Sequence, residues 1–263
     1  MYTLGIDIGS TTSKCVVLRD GADIAASSIV IAGTGTNGPA RALEQALGGA
    51  GITMGDIAYT VATGYGRMKY ENADEQLSEL SCHAIGVHHM FPSVRTVIDI
   101  GGQDAKALKV NDRGRMTSFV MNDKCAAGTG RFLDVMAQVL QMDISDLEVQ
   151  AARAKKINAI SNTCTVFAES EVISQLSNGE AISDIVAGIC DSVAKRTAAL
   201  AERVGVEEDV CMSGGVARNG GVRKAMERAL GVPVLFSPLS QLMGALGASI
   251  AAAEKYRDKT GGL

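Results

Sequence analysis

A short motif that occurs twice constrains this chain more than any other feature. Ile6-Asp7-Ile8-Gly9 recurs as Ile98-Asp99-Ile100-Gly101, 92 residues later. Each copy ends a β-branched run and meets a small polar turn. A second apolar run follows each turn, Lys14 to Leu18 in the first case and Lys106 to Val110 in the second. A third strand-like segment comes next, Ala25 to Ile31 and Met116 to Met121, and then a helical periodicity, Pro39 to Leu47 and Thr129 to Leu140. Three strands followed by alternating helices and strands, twice over, predict an α/β chain of two similarly folded halves.

The first half is expected to span residues 1–92, because Phe91-Pro92 stops a helix running from about Asp74. The second, 93–263, carries extra helical material between Asp143 and Gly205 and a short strand from Asp209 to Met212 that meets Ser213-Gly214-Gly215. A helix from Arg218 to Leu230 and a terminal helix from about Gln241, packing back, complete it. With 263 residues, 46% of them apolar, there is enough material for a substantial core. A net charge of −4 without a basic block argues against a phosphate-backbone ligand. Aromatics at 4%, with no Trp, argue against stacking on single strands. Met1 to Asp7 enters a strand pattern at once, and the apolar stretches are broken well short of a membrane span. The expectation is a cytoplasmic protein that binds neither nucleic acid nor membrane.

A strand that ends in Asp-x-Gly and turns tightly into a second strand can hold a nucleotide phosphate. The glycine lets the backbone approach closely, and successive N–H groups make an anion nest. Ser10, Thr11, Thr12 and Ser13 add small donors behind Gly9, and Lys14 supplies a positive charge unless it points to solvent. Asp7 and Asp99 are placed to hold Mg²⁺ through waters, which suits an ion reluctant to dehydrate. One such turn alone reads equally well as an ordinary hairpin; two copies in matched contexts favour the phosphate reading. Ser213-Gly214-Gly215-Val216-Ala217-Arg218-Asn219 adds a third glycine turn between strand and helix, where an adenosine can lie on backbone. Gly33-Thr34-Gly35-Thr36-Asn37-Gly38 matches the dinucleotide pattern G-x-G-x-x-G, but it follows the third strand rather than the first, and no acidic residue ends a following strand.

On these motifs the chain resembles the actin/hexokinase/Hsp70 superfamily of ATPases. The resemblance implies two ribonuclease-H-like, actin-like halves around a nucleotide cleft, with the two Asp-Gly hairpins gripping the phosphates from opposite sides. It implies that Gln103 and Asp104, in Gly101-Gly102-Gln103-Asp104, lie near the γ-phosphate and its attacking water, with Asp7 and Asp99 completing the catalytic set. The implied contacts to ATP or ADP are Gly9, Ser10, Thr11, Thr12, Ser13, Lys14, Gly101, Gly102, Gly214, Gly215, Asn219 and Gln241.

Six cysteines are scattered with no C-x-x-C, which argues against a disulfide framework. Cys125 and Cys164 each lie just before a helical pattern, and a helix N-terminus stabilises a thiolate. Two ligands are too few for a [4Fe–4S] cluster, so a symmetric dimer would be needed to supply four. The competing reading is that all six are core cysteines. It suits Cys15 and Cys211 on strands, and Cys190 on the apolar face of Ile185, Val186, Ile189 and Val193. Cys82 lies off the Leu77, Leu80, Ala84, Val87 stripe beside His83 and near His88 and His89. A zinc site is possible there, and a solvated helical face is the plainer expectation.

Asn122-Asp123-Lys124-Cys125-Ala126-Ala127-Gly128-Thr129-Gly130-Arg131-Phe132-Leu133 and Cys164-Thr165-Val166-Phe167-Ala168-Glu169-Ser170-Glu171 resemble activator proteins of 2-hydroxyacyl-CoA dehydratases and their relatives, the ATPase subunits of benzoyl-CoA reductases. The likeness covers essentially the whole chain, including Ala62 to Arg67 and Ser78 to His83. It implies that Cys125 and Cys164 of two copies ligate one [4Fe–4S] cluster at a homodimer interface. It further implies that a ferredoxin- or flavodoxin-type donor reduces the cluster and that ATP hydrolysis drives one electron onto a dehydratase. There the electron generates a ketyl radical anion from the acyl-CoA. A small-metabolite kinase of the same superfamily and an actin-like scaffold are the alternatives.

Overall fold

In the computed structural model, which describes residues 1–122 and 125–261, the repeated aspartates close the central strands of two five-stranded sheets. Asp123 and Lys124 of the first cysteine motif, and the last two residues, lie outside that description. The first sheet contains β1 (Tyr2–Ile8), β2 (Ser13–Arg19), β3 (Asp23–Val30), β4 (Ile57–Thr63) and β5 (Glu75–Gln76) in the order β3-β2-β1-β4-β5. The second contains β6 (Thr96–Ile100), β7 (Ala105–Val110), β8 (Met116–Asn122), β9 (Val210–Ser213) and β10 (Val234–Leu235) in the order β8-β7-β6-β9-β10. The layout is the same in both: an antiparallel hairpin opens each sheet, and the strand after the crossover pairs parallel to the first. The sequence repeat is a repeat of topology.

The chain divides into two compact units. One takes Met1–Ser93, Val110–Met116 and the segment from Gln241. Its helices are α1 (Gly38–Ala50), α2 (Glu79–Met90) and, at the far end of the chain, α8 (Met243–Thr260). β1 is buried from Thr3 to Ile8 because both its faces are covered, which removes the alternation expected of a half-solvated strand. On one face Leu4, Ile6 and Ile8 pack with Ala42 and Ala46 of α1. On the other α8 lies so close that a side chain at Gly5 would collide with the Ala245 carbonyl. Gly and Ala dominate α8 between Met243 and Ala253 for that reason.

The other unit takes Val94–Lys109 and Thr117–Ser240, and adds α3 (Gly130–Val139), α4 (Asp146–Ala152), α5 (Thr165–Ser177), α6 (Ile182–Val204) and α7 (Gly220–Leu230). Its core joins Ile98 and Ile100 of β6 to Phe132 and Met136 of α3 and to Ile185, Ile189 and Val193 of α6. The helix expected from about Asp74 begins only at Glu79, since Glu75 and Gln76 pair with Val61 and Ala62 as β5. The terminal helix starts at Met243 behind a short 3₁₀ turn, Ser240–Leu242. No described helix is long and apolar enough to cross a membrane.

Candidate functional site

Antiparallel pairing puts Lys14 opposite Asp7 in the first unit and Lys106 opposite Asp99 in the second. The Lys14 ammonium stands 3.1 Å from Asp7 Oδ2, with the lysine side chain only 13% exposed, so it does not point to solvent. Lys106 lies 3.4 Å from Asp99 Oδ2 and 3.0 Å from Asp104 Oδ2, and both Lys106 and Asp99 are 3% exposed. Removing one partner of such a pair would strand a buried charge. The Ser213 hydroxyl donates to Asp99 Oδ1 at 2.9 Å. The sequence reading did not assign Lys106 and Ser213 to the site; the register Asp99↔Lys106, matching Asp7↔Lys14, was the signal for the lysine.

Both turns close by the same bond. Gly9 N–H donates to the Thr12 carbonyl and Gly101 N–H to the Asp104 carbonyl, each at 2.9 Å. Ser10 and Thr11 are exposed at the first tip, and Gln103 at the second, with Gly102 half-buried beside it. Ser13 departs from expectation: it is fully buried, and its hydroxyl donates to the Ala32 carbonyl at 2.7 Å, so it braces a loop rather than offering an open donor. The loop braced is the glycine pattern at 33–38. Thr34 N–H donates to the Gly9 carbonyl at 2.9 Å, and a side chain at Gly33 would strike the Ser10 carbonyl. Those glycines are there to let the loop lie against the hairpin. Gly66 N–H adds a bond to the Ile8 carbonyl at 2.8 Å from the Ala62-to-Arg67 motif.

The third glycine turn meets the second hairpin. Gly214 has φ +83°, and a side chain there would crowd Asp99 and the Ile100 carbonyl. Gly215 is exposed, and Asn219 caps α7, its Oδ1 accepting from Val222 N–H at 3.1 Å. A cavity of about 440 Å³ opens among α4, α6 and α7, bounded by Glu148, Ala187, Gly220, Gly221 and Arg223; neither Gly214 nor Gly215 lines it. The Arg223 guanidinium sits 3.9 Å over the Phe236 ring. Gln241 belongs to the 3₁₀ turn before α8, in the first unit.

The cysteines separate by environment. Cys15, Cys82, Cys190 and Cys211 are buried, whereas Cys125 and Cys164 are partly exposed. Burial pushes the Cys82, Cys190 and Cys211 thiols up to about 12, and raises Cys15 further. Cys82 corrects the expectation of a solvated face. It packs with Val61, Ala248 and Ala252, because α8 covers that side of α2, and His83 is buried with it.

Cys125 Sγ lies 3.9 Å from the Thr163 carbonyl, one residue before Cys164, so the two cysteine loops adjoin. In the first loop the Asn122 amide donates to the carbonyls of Cys125 and Ala127 at 3.0 and 3.4 Å, and α3 starts five residues after the thiol. The first N–H groups of α3, on Gly130 and Arg131, donate to the Gly101 and Gly102 carbonyls at 2.9 and 2.8 Å. The turn at Gly101–Asp104 and the first cysteine loop are thereby one hydrogen-bonded piece. In the second loop Cys164 is the N-cap residue of α5 in extended conformation, and Ser161 N–H donates to Glu171 at 2.6 Å. Val166 and Phe167, just beyond, are 64% and 63% exposed. Two accessible thiols on adjoining loops, with a helix start close behind each, are a donor set that fits half of an iron–sulfur cluster.

The BadF/BadG/BcrA/BcrD ATPase family model matches residues 4–252. The chain is 59% identical over 256 residues to the (R)-2-hydroxyglutaryl-CoA dehydratase activating ATPase of Acidaminococcus fermentans, across 97% of this chain and 98% of that protein. The activator of the 2-hydroxyisocaproyl-CoA dehydratase from Clostridium difficile, solved with bound ADPNP, superposes with a TM-score of 0.97 at 53% identity, across 100% of this chain and 98% of that one. A ROK family glucokinase from Streptomyces griseus superposes at 0.58 with 15% identity across 97% of this chain and all of that one, which shows a shared fold alone.

Proposed function

The chain belongs to the BadF/BadG/BcrA/BcrD ATPase family, and on that premise we propose that it is the ATP-hydrolysing activator of a 2-hydroxyacyl-CoA dehydratase, giving one electron through a [4Fe–4S] cluster shared by two copies of the chain. The observation that carries the reading is the meeting of Cys125 with the Cys164 loop while the four other thiols are buried. When bound, the cluster supplies low-potential one-electron chemistry.

The chain's own residues do the rest. The backbone N–H groups and hydroxyls at Gly9–Thr12 and the turn at Gly101–Asp104 receive phosphate oxygens. Asp7 and Asp99, paired with Lys14 and Lys106, hold Mg²⁺ through waters. Gln103, exposed at its turn, and Asp104 orient the attacking water. The turn at Gly214 and Gly215 takes the adenosine on backbone; the cavity among α4, α6 and α7 has the size of a small-ligand pocket but is lined by Gly220 and Gly221 rather than by that turn. Because α3 hangs by its first N–H groups on the Gly101 and Gly102 carbonyls, a shift of that turn on hydrolysis is passed to the Cys125 loop. A ferredoxin- or flavodoxin-type protein reloads the chain, and the dehydratase reads the acyl group.

Iron and acid-labile sulfide, assayed per chain after anaerobic purification, test this. About two irons per chain are expected, half of a four-iron cluster, with none in Cys125→Ala or Cys164→Ala. A wild type that stays metal-free after anaerobic reconstitution would sink the electron-transfer reading and favour a kinase.

A further inference from the structure

Both cysteine loops rest on the same stretch of α6. Ser192 donates to the Ser161 carbonyl at 3.0 Å, Thr197 donates to the Gly128 carbonyl at 3.4 Å, and between them Arg196 reaches both loops at once. Its Nη1 donates to the Asn162 carbonyl at 3.0 Å, two residues before Cys164. Its aliphatic stem lies along Gly128, three residues after Cys125. A side-chain carbon there would meet Arg196 Cγ at 3.1 Å, and the glycine has φ +83°. Bare backbone at Gly128 is thus what allows the arginine to lie flat across the first loop while gripping the second.

The acid one turn back on α6, Asp191, is engaged elsewhere: it pairs with Lys195 at 2.8 Å and faces Arg228 at 3.9 Å. Among the described residues no carboxylate forms an ion pair with Arg196. The guanidinium instead borders a cavity of about 340 Å³ together with Asn122, Asn162, Lys195 and Arg203. Asn122 is the side chain that ties the Cys125 loop.

We propose that Arg196 is a positioning residue for the two thiols and that its cation sets how easily the metal group they hold accepts an electron. This rests on Cys125 and Cys164 being the ligands. A fixed positive charge beside a site that gains a negative charge on reduction favours the reduced form, and net charge and hydrogen bonding are the protein's levers on such potentials. An arginine spanning two loops also resists their separation, because its planar fork is directional where an ammonium is not.

The test is the midpoint potential of the anaerobically reconstituted full-length protein, read by electron paramagnetic resonance during a reductive titration, for wild type, Arg196→Gln and Arg196→Lys. Arg196→Gln keeps most of the stem on Gly128 and loses the charge. It is expected to retain iron and to become about tenfold harder to reduce, a downward shift of ~59 mV for one electron. Arg196→Lys restores the charge and is expected to return most of that shift. Arg196→Gln with full iron and an unmoved potential would overturn the proposal. So would Arg196→Lys shifting as far as Arg196→Gln, or both variants losing iron alike. A wild type that binds no iron points instead to the failure of the ligand assignment itself.

Discussion

Cys82, Cys190 and Cys211 have thiols pushed up to about 12 by burial, and Cys15 lies higher still. The thiolate is the reacting form, so at about pH 8 those four are protected twice over, by protonation and by lack of access. Cys125 and Cys164 are partly exposed and open to a reagent. Alkylating the folded, metal-free chain near that pH is expected to label Cys125 and Cys164 alone, as read by peptide mass spectrometry. Denatured protein is expected to label at all six cysteines. Early labelling of Cys82 would show that α8 does not seal that face. At this scale the sequence placed Cys15, Cys190 and Cys211 in the core, as observed, because their neighbours are periodic and apolar. It failed for Cys82, because the cover over that residue comes from α8, more than 150 residues along the chain.

Two helices far apart in sequence, α2 and α8, meet through glycine. A side chain at Gly247 would collide with the Cys82 carbonyl, and one at Gly86 with the Met243 carbonyl. Their backbones are in contact, so no side-chain rotation can relieve an added methyl. Gly247→Ala is expected to destabilise the protein by about 1–3 kcal/mol, the usual range for overpacking, with the neighbouring backbone contact pushing it toward the upper end. A lowered urea midpoint at unchanged slope checks this; an unaltered midpoint would mean that the helices can separate freely. Other elements show why part of the fold was hidden. β1 and β6 were legible because their motif repeats and their apolar runs are continuous. β5 was not, since Glu75-Gln76 carries no strand signal of its own and is extended only because Val61 and Ala62 offer it an edge. β10, two residues long, depends in the same way on Val210 and Cys211.

Each compact unit carries an Asp-x-Gly turn, but only one carries the two partly exposed cysteines, Cys125 and Cys164. Asp7, Lys14 and the loops that brace Gly9 belong to the unit closed by α8, whereas the turn at Gly101 and both cysteine loops belong to the other. The repeat therefore made both turns readable from sequence. The cysteine platform has no counterpart in the first half, and its dependence on α6 was unreadable, because Ser192, Arg196 and Thr197 look like ordinary helix residues. This division predicts separable losses. Asp7→Asn removes the charge that pairs with Lys14 and that, in the proposed function, holds a hydrated Mg²⁺, so ATP hydrolysis is expected to fall on the order of 10²-fold or more, the scale for deleting one preorganised polar group. Iron content should be untouched, because no bond described around Cys125 or Cys164 involves the first unit. Cys164→Ala should do the reverse, abolishing bound iron while nucleotide affinity, measured by calorimetry with a non-hydrolysable analogue, stays within about twofold of wild type, well under the 1.4 kcal/mol of a tenfold change. Loss of iron in Asp7→Asn would mean that the first unit helps to build the cysteine platform. Loss of nucleotide binding in Cys164→Ala would mean that the platform holds the turn at Gly101 in place through the α3 bonds.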